Sequence, residues 1–362
     1  MQTLILRMGP DWTTADESRK ALDQAVAILR GGGTVALPTE TVYGLAANAL
    51  DPQAVAKIFT AKQRPTWDPL IVHVSDPDMF ATVVAEVPEE AKQLIAAFWP
   101  GPLTLLLPRS AIIPDEVTAG RPLVAVRMPA HPVALELIRR AGIPLAAPSA
   151  NRFGHTSPTT AAHVLDDLEG RIDAVLDAGP TAFGVESTVL DPCQSPMIVY
   201  RPGAVTLEQI RAVAGPAEFF IAPASAQQPA ALPSPGVGLR HYAPRAELVQ
   251  VDLANGSAAQ LHERAAQFPS QRVGIMLPSG LLNSPSPWPP GPWPPGTEIF
   301  DWGPWADPEE LAHRLFAGLR HLDARGCQVI LCPVPPEQGI GAAIRDRLRK
   351  ASFPDSGSSG EG

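Results

Sequence analysis

Cysteine is scarce in this chain: its 362 residues include three, Cys193, Cys327 and Cys332. The number is odd, and no Cys-x-x-Cys pair or His-rich cluster accompanies them. That favours buried or idle thiols in a reducing compartment over a disulfide framework or a zinc centre. Positive charge is also short. A formal net charge of −9 and a pI near 5.4 set aside general nucleic-acid binding, so any anion site must be a local basic pocket. No stretch approaches the roughly 18 consecutive apolar residues of a membrane span. The first residues, MQTLILRMGPDW, are too short in apolar content for a signal peptide. The expectation is a soluble cytoplasmic protein with no membrane contact. The common nucleotide motifs are missing too: there is no Gly-x-Gly-x-x-Gly and no Walker A sequence, so a dehydrogenase or P-loop reading has no support. Ser149 and Ser187 stand outside any Gly-x-Ser-x-Gly elbow, and no His/Asp partner has the context of a triad, which leaves a serine hydrolase unsupported.

What is present describes a globular protein of two domains. Hydrophobic residues make up 45% and charged residues 18%, enough apolar material for two sizeable cores. Helical periodicity marks 16–30, 54–62, 89–98, 133–141, a helix ending near 168, and 207–213. Gly31-Gly32-Gly33 closes the first of these as a C-cap, not as a phosphate loop, because no helix follows it. Strands are expected at 34–37, 70–74, 103–107, 124–127, 144–147, 173–177, 186–190 and 197–200. Alternation of this kind predicts an α/β domain with a mixed sheet over residues 1–222. The segment 223–235 (PASAQQPAALPSP) is rich in Pro and Ala and reads as a linker, extended to 244 by the unusual GVGLRHYAP. A smaller α/β unit is expected over 245–353, with strands at 246–251, 272–277 and 328–332 and helices at 258–266, 308–322 and 340–351. The insertion at 283–297 is Pro- and Trp-rich and reads as an exposed polyproline loop; 354–362 reads as a disordered tail. No internal repeat is visible.

Candidate ligand groups collect at strand ends and loops: Thr39, Thr41, Lys62, Arg64, His73, Arg127, Ser149, Asn151, Ser187, Thr188 and Arg201. Cations and hydroxyls outnumber free carboxylates among them, which suits a polyanion better than acid/base hydrolysis. Any one Lys or Arg would ordinarily be a solvated surface charge. Five at element ends (Lys62, Arg64, Arg127, Arg201 and Arg240) in an acidic chain point instead to a site. His73, inside an apolar run, is by itself an ordinary core histidine. These residues alone define an α/β enzyme or binder with a phosphate-containing ligand.

The same residues resemble a known family. Pro38-Thr-Glu-Thr-Val-Tyr-Gly-Leu45, Lys62-x-Arg64-Pro65 with Pro69-Leu-Ile-Val-His73, and Trp99-Pro-Gly-Pro-Leu-Thr104 are similar to the YrdC-like domain. So are Val126-Arg-Met-Pro129, Pro148-Ser-Ala-Asn151 with Ser157-Pro-Thr159, Glu186-Ser-Thr188 and Tyr200-Arg-Pro-Gly203. Ser234-Pro-Gly236, His241-Tyr-Ala-Pro244 and 339–351 resemble the long form of that family, with an added C-terminal domain. The fold implied is a YrdC-like domain, a twisted mixed sheet around a basic cavity, followed by a smaller Rossmann-like α/β domain, with the linker 223–244 crossing the active site.

The resemblance implies a reaction as well. L-threonine, bicarbonate and ATP would give threonylcarbamoyl-adenylate, pyrophosphate and water, and the product would supply threonylcarbamoyladenosine at position 37 of tRNA. Lys62, Arg64, Ser149 and Asn151 would be the catalytic tetrad. Thr41, His73, Arg127, Ser149 and Ser187 would hold threonine. Arg64, Asp68, Asn151, Thr159, Arg201, His241 and Tyr242 would hold ATP, with Leu123 contributing through its backbone. A Mg²⁺ ion carried mainly by the ATP phosphates is expected, with no dedicated protein metal site. Further partners implied are tRNA and the transferase complex that consumes the adenylate. Two departures stand out: Asp68 occupies a position where the family usually has Asn, and Val237 one where Met is usual. Two rival readings remain at this stage. One is an RNA-binding or ribosome-associated module using the same cavity, against which the retained Lys-x-Arg and Ser-x-Asn pairs argue. The other, a carbamoyl-transfer maturation factor, would want acylphosphatase and zinc-finger segments that the chain lacks.

Overall fold

The computed structural model describes residues 2–221, 232–238, 241–253, 259–279 and 293–353. The chain divides into two compact units, Met1–Phe153 with Ser157–Val237, and Gly154–Thr156 with Gly238–Gly362. Arg240, most of the linker, 283–292 of the insertion and the 354–362 tail lie outside the described residues.

The first unit opens with β1 (Leu4–Arg7), α1 (Asp16–Arg30), β2 (Val35–Pro38), β3 (Tyr43–Asn48), α2 (Pro52–Lys62), β4 (Ile71–His73), α3 (Pro77–Val83) and α4 (Glu89–Phe98). It continues with β5 (Leu103–Pro108), α5 (Asp115–Thr118), β6 (Leu123–Arg127), α6 (Pro132–Ala141), β7 (Leu145–Ala146) and α7 (Ala161–Leu168). It ends with β8 (Ala174–Asp177), β9 (Thr188–Asp191), β10 (Met197–Arg201), α8 (Leu207–Ala214) and β11 (Ala217–Phe219). The strands form one mixed sheet in the order β1-β8-β2-β3-β7-β4-β6-β5-β9-β10-β11.

Alternation along the strands decides which core each side chain joins. In β2, Val35 and Leu37 face α1 and α6, while Ala36 faces the opposite core under α2, α4, α7 and α8. In β3, Leu45 and Ala47 join that second core and Ala46 the first. A sheet covered on both faces needs apolar residues on both, which is why its strands read as nearly unbroken hydrophobic runs. The helices start where the sequence offers caps. Asp51 accepts from the Gln53 N–H ahead of Pro52, Asp76 from Met79 ahead of Pro77, and Thr206 makes a reciprocal capping box with Gln209. The α/β class and the mixed sheet are as the sequence predicts. Five elements are additional: β1, β3, α3, the single turn α5 and β11.

The second unit holds β12 (Glu247–Val251), α9 (Ala259–Ala265), β13 (Val273–Ser279), β14 (Glu298–Pro304), α10 (Pro308–Ala324), β15 (Val329–Pro333) and α11 (Gly341–Ala351). Its four strands pair in parallel, in the order β12-β15-β13-β14. The strand β14 is not in the sequence reading. Its Trp302 is fully buried and donates its indole N–H to the Leu311 carbonyl (2.8 Å), which fastens β14 to α10. Trp293, at the end of the Pro/Trp insertion, packs against this core beside His262. That part of the insertion is therefore not an exposed polyproline loop.

Candidate active site

The hairpin between β2 and β3 carries the first group. Pro38 pairs with Tyr43, and Thr39 closes the turn: its hydroxyl donates to the Val42 carbonyl at 2.6 Å and lies 2.9 Å from the Thr41 hydroxyl. This places Glu40 and Thr41 at the hairpin tip. Arg127, the last residue of β6, meets them there. Its Nη1 donates to Thr41 Oγ1 (3.0 Å), its Nε to the Gly101 carbonyl (3.1 Å), and its Nη2 stands 2.6 Å from Glu40 Oε1. His73 is the register partner of Arg127 across the parallel pair β4 and β6. Thr41, His73 and Arg127 therefore share one corner of the sheet.

His73 is buried, and no group among the described residues hydrogen-bonds its Nδ1. Burial, then the neighbouring Arg127 charge, push its pKa down to about 3, so the ring is neutral. The folded value lies below the unfolded value of 6.5, so between about pH 6.5 and 3 only the unfolded chain takes up this proton. Stability should fall with pH across that window by about 1.4 kcal/mol per unit. Urea midpoints measured from pH 7 to 4 should show a steeper loss for the natural protein than for His73→Asn. Parallel curves would contradict this assignment.

The second group sits at the end of α2. Gln63 adopts the left-handed conformation (φ 54°) and Arg64 N–H returns to the Phe59 carbonyl, so the helix stops sharply at Lys62. Lys62 is fully buried, and its Nζ donates to the carbonyls of Ser149 and Asn151, both at 2.5 Å. The Phe153 N–H returns to the Lys62 carbonyl at 2.9 Å. Burial first, and Arg64 second, hold the Lys62 pKa well below its usual value. The Ser149–Asn151 loop is pinned from its other side by β3: Leu45 N–H bonds to Pro148 O and Ala150 N–H to Tyr43 O. Ser149 itself is half-buried, the most open residue of this group.

Arg64 turns back on its own loop. Its Nε donates to the Asp68 carbonyl (3.1 Å), its Nη2 to the Pro69 carbonyl (2.8 Å), and Nη2 lies 2.9 Å from Asp68 Oδ1. Its guanidinium also lies over the Phe153 ring, 5.9 Å from the centroid. Burial raises the Asp68 pKa against the opposing pull of Arg64, Lys62 and Arg201. Leu232, from the end of the linker, donates its N–H to the Trp67 carbonyl of this loop at 3.0 Å.

The third group joins β5, β9 and β10. Ser187 Oγ lies 2.8 Å from Thr104 Oγ1 and accepts from Arg201 Nη2 at 3.0 Å, while Arg201 Nε donates to the Ser187 carbonyl at 2.9 Å. Gly184 N–H bonds to the Thr41 carbonyl, so the 184–187 segment runs beside the hairpin tip. Thr159 lies against His163, ahead of α7. Its neighbour Pro158 accepts the Tyr43 N–H.

The structure thus brings together Thr41, His73 and Arg127; Lys62, Ser149 and Asn151; Arg64 and Asp68; and Ser187 and Arg201. Leu123 begins β6, at the end opposite Arg127. His241 and Tyr242 belong to the second unit. There Tyr242 has φ 64°, stacks on Phe316 and lies under Arg347, and the His241 N–H bonds to the Lys350 carbonyl. Sequence reasoning passed over two members of the site. Glu40 stood between two flagged threonines, and Thr104 was the only polar residue in the run LTLLL.

The fold and its groupings define a two-unit α/β protein whose larger unit holds buried cations and hydroxyls at the ends of its strands and helices. Comparison with known proteins agrees over nearly the whole chain. The family model for the telomere recombination domain (Sua5, YciO and YrdC) matches residues 27–203, and that for the C-terminal domain of threonylcarbamoyl-AMP synthase matches 205–352. The threonylcarbamoyl-AMP synthase of Pyrococcus abyssi is 44% identical over 91% of this chain and 93% of its own length. That of Bacillus subtilis is 42% identical over 91% and 92%. The crystal structure of P. abyssi Sua5 complexed with L-threonine is 40% identical, covers 97% of this chain and 98% of its own, and superimposes with a TM-score of 0.85. The chain belongs to the threonylcarbamoyl-AMP synthase family. No described helix is long and apolar enough to cross a membrane.

Proposed function

We propose that this protein joins L-threonine, bicarbonate and ATP into threonylcarbamoyl-adenylate, with release of pyrophosphate and water. The observation that carries the reading is the junction made by Lys62. Its amino group ties the helix bearing Arg64 to the Ser149–Asn151 loop, so the Lys-x-Arg and Ser-x-Asn motifs form one constellation. The named relatives and the threonine complex of one of them support the substrate assignment. Burial of Lys62, Arg64, Arg127 and Arg201 favours small-molecule capture over an RNA-binding surface, which would display its cations to solvent.

Each group has a task in this reading. Arg127 takes the threonine carboxylate, and Thr41, Ser187 and His73 orient the amino acid. A neutral His73 can accept or donate one hydrogen bond without adding charge beside Arg127. The threonine amine attacks bicarbonate-derived carbon, losing water to give a carbamate. A carbamate oxygen then attacks the α-phosphorus of ATP, forming the P–O bond as the bond to pyrophosphate breaks. That adenylyl transfer needs alignment and charge neutralisation, which Arg64 and Arg201 supply, and no covalent nucleophile. Asn151 and Thr159 are assigned to the nucleotide, as are Asp68 and, from the resemblance, Leu123, His241 and Tyr242.

The residues fit a Mg²⁺ that arrives on the phosphates. Asp68 is set among Arg64, Lys62 and Arg201, a surrounding that suits polyphosphate and offers a bare cation little. The phosphates themselves would hold such an ion, which would contribute further charge neutralisation there. The product would serve tRNA position 37 through a downstream transferase. The test is a pyrophosphate-release assay in which threonine and bicarbonate are each omitted in turn. Release should require both; release indifferent to threonine would contradict the reading.

A further inference from the structure

Glu40 is buried to 6% exposure and Arg127 to 3%, and they face each other at 2.6 Å. Glu40 cannot easily swing away. Its own carbonyl accepts the Ala182 and Phe183 N–H groups at 3.1 and 2.8 Å, which hold the hairpin tip against that loop. The contact with Arg127 is short but poorly aligned. Among the described residues no donor meets either Glu40 carboxylate oxygen with hydrogen-bond alignment, and no acceptor so meets Arg127 Nη2. Buried charged groups rarely keep unused hydrogen-bonding capacity unless a ligand completes them.

The charge at this corner is also informative. Burial pushes the Glu40 carboxyl up, but the Arg127 charge, with smaller help from backbone N–H groups that stay short of hydrogen-bond alignment, outweighs that and keeps it below the usual range, hence ionised. The other titratable neighbours are His73 and His131. Burial lowers the pKa of both against the pull of Glu40, so both are neutral. One cation and one anion stand side by side in a pocket of hydroxyls and neutral rings. A lone anion bound at Arg127 would meet the Glu40 charge. A zwitterion meets both: its carboxylate takes Arg127, and its ammonium supplies the donors that the Glu40 oxygens are missing.

We infer that Glu40 is a substrate-binding residue that takes the α-ammonium of the incoming amino acid and so makes the site selective for zwitterions. The inference rests on the proposed function and extends it by one residue. Glu40 acts on entry, holding the amino group before it is deprotonated for carbamate formation, and so governs capture of the amino acid more than that of the nucleotide.

The test is calorimetric binding to the full-length protein of L-threonine and of its des-amino analogue, 3-hydroxybutanoate. The natural protein should bind threonine at least 30-fold more tightly. In Glu40→Gln the gap should shrink to a few-fold. The KM for threonine should rise at least tenfold with the KM for ATP within twofold, and Glu40→Asp should restore part of the selectivity. Equal binding of the two ligands by the natural protein would overturn the inference, even if no variant folds. A folded Glu40→Gln with undiminished threonine selectivity would overturn it as well. Absence of threonine binding altogether would remove the function reading and this inference together. Threonine-dependent pyrophosphate release without discrimination against the analogue would remove only the role of Glu40.

Discussion

Replacing Arg64 with alanine should abolish threonine-dependent pyrophosphate release, with a fall of about 100-fold or more, the scale of losing a charged group aimed at the reacting phosphate. The geometry gives two reasons. Arg64 is the cation that follows the sharp end of α2 and is held by the Asp68 and Pro69 carbonyls, so its position is fixed before the nucleotide arrives. It is also the direct ion-pair partner of Asp68. Removing it leaves a buried carboxylate beside two unpaired carbonyls, a loss of about 3–5 kcal/mol in comparable buried pairs. The alanine variant could therefore fail through stability. Arg64→Lys keeps the charge without the planar fork, and should retain the fold while losing most of the turnover. Near-normal rates in Arg64→Lys would place the phosphates elsewhere.

The second large effect concerns a residue with no side chain. Gly203 lies where the loop after β10 passes the Glu186–Thr188 backbone. A Cβ added there would press on the Glu186 carbonyl, Ser187 carbon and Thr188 nitrogen more closely than a Cβ can stand from rigid backbone. Gly203→Ala should therefore push Ser187 away from Arg201 and Thr104, dismantling the third group of the site. A destabilisation of about 3 kcal/mol is expected from such overpacking, read as a lower urea midpoint. Turnover should fall with it. Ala204 is next in sequence, and Ala204→Gly serves as a control that should cost far less. An unperturbed Gly203→Ala would show that the loop can yield.

Much of this was legible in the sequence because ligand groups in α/β proteins stand at element ends, where Pro, Gly and polar residues interrupt apolar runs. The hairpin tip at Thr39–Thr41, the cations after α2 and the Pro148–Asn151 loop all announced themselves in that way. The elements that stayed hidden had weak local preference. The strand β3, YGLAAN, is Gly- and Ala-rich and becomes a strand through pairing with β2 and β7. The strand β14, EIFDWGP, adjoins the Pro/Trp insertion and is fixed by the burial of Trp302, a tertiary effect. The helix α3 had a readable start in Asp76-Pro77, which was overlooked.

The pairings in the site were beyond local reading. Glu40 and Arg127 are 87 positions apart, and only the sheet order brings β6 to the hairpin tip. Lys62 reads in the sequence as one of five cations at element ends that point to an anion site. Its burial and its bonds to the Ser149 and Asn151 carbonyls show a side chain that organises the loop. Asp68 stood out as an untypical carboxylate, and its contact with Arg64 gives it a partner within its own loop.

The central claim is that this constellation builds a carbamoylated amino acid on AMP. The direct measurement is mass spectrometry of the nucleotide products formed from ATP, L-threonine and ¹³C-bicarbonate. The account predicts an adenylate that carries one threonine and one labelled carbon, formed in step with pyrophosphate. ADP, or AMP free of threonine and label, as the nucleotide product of the active protein would contradict it.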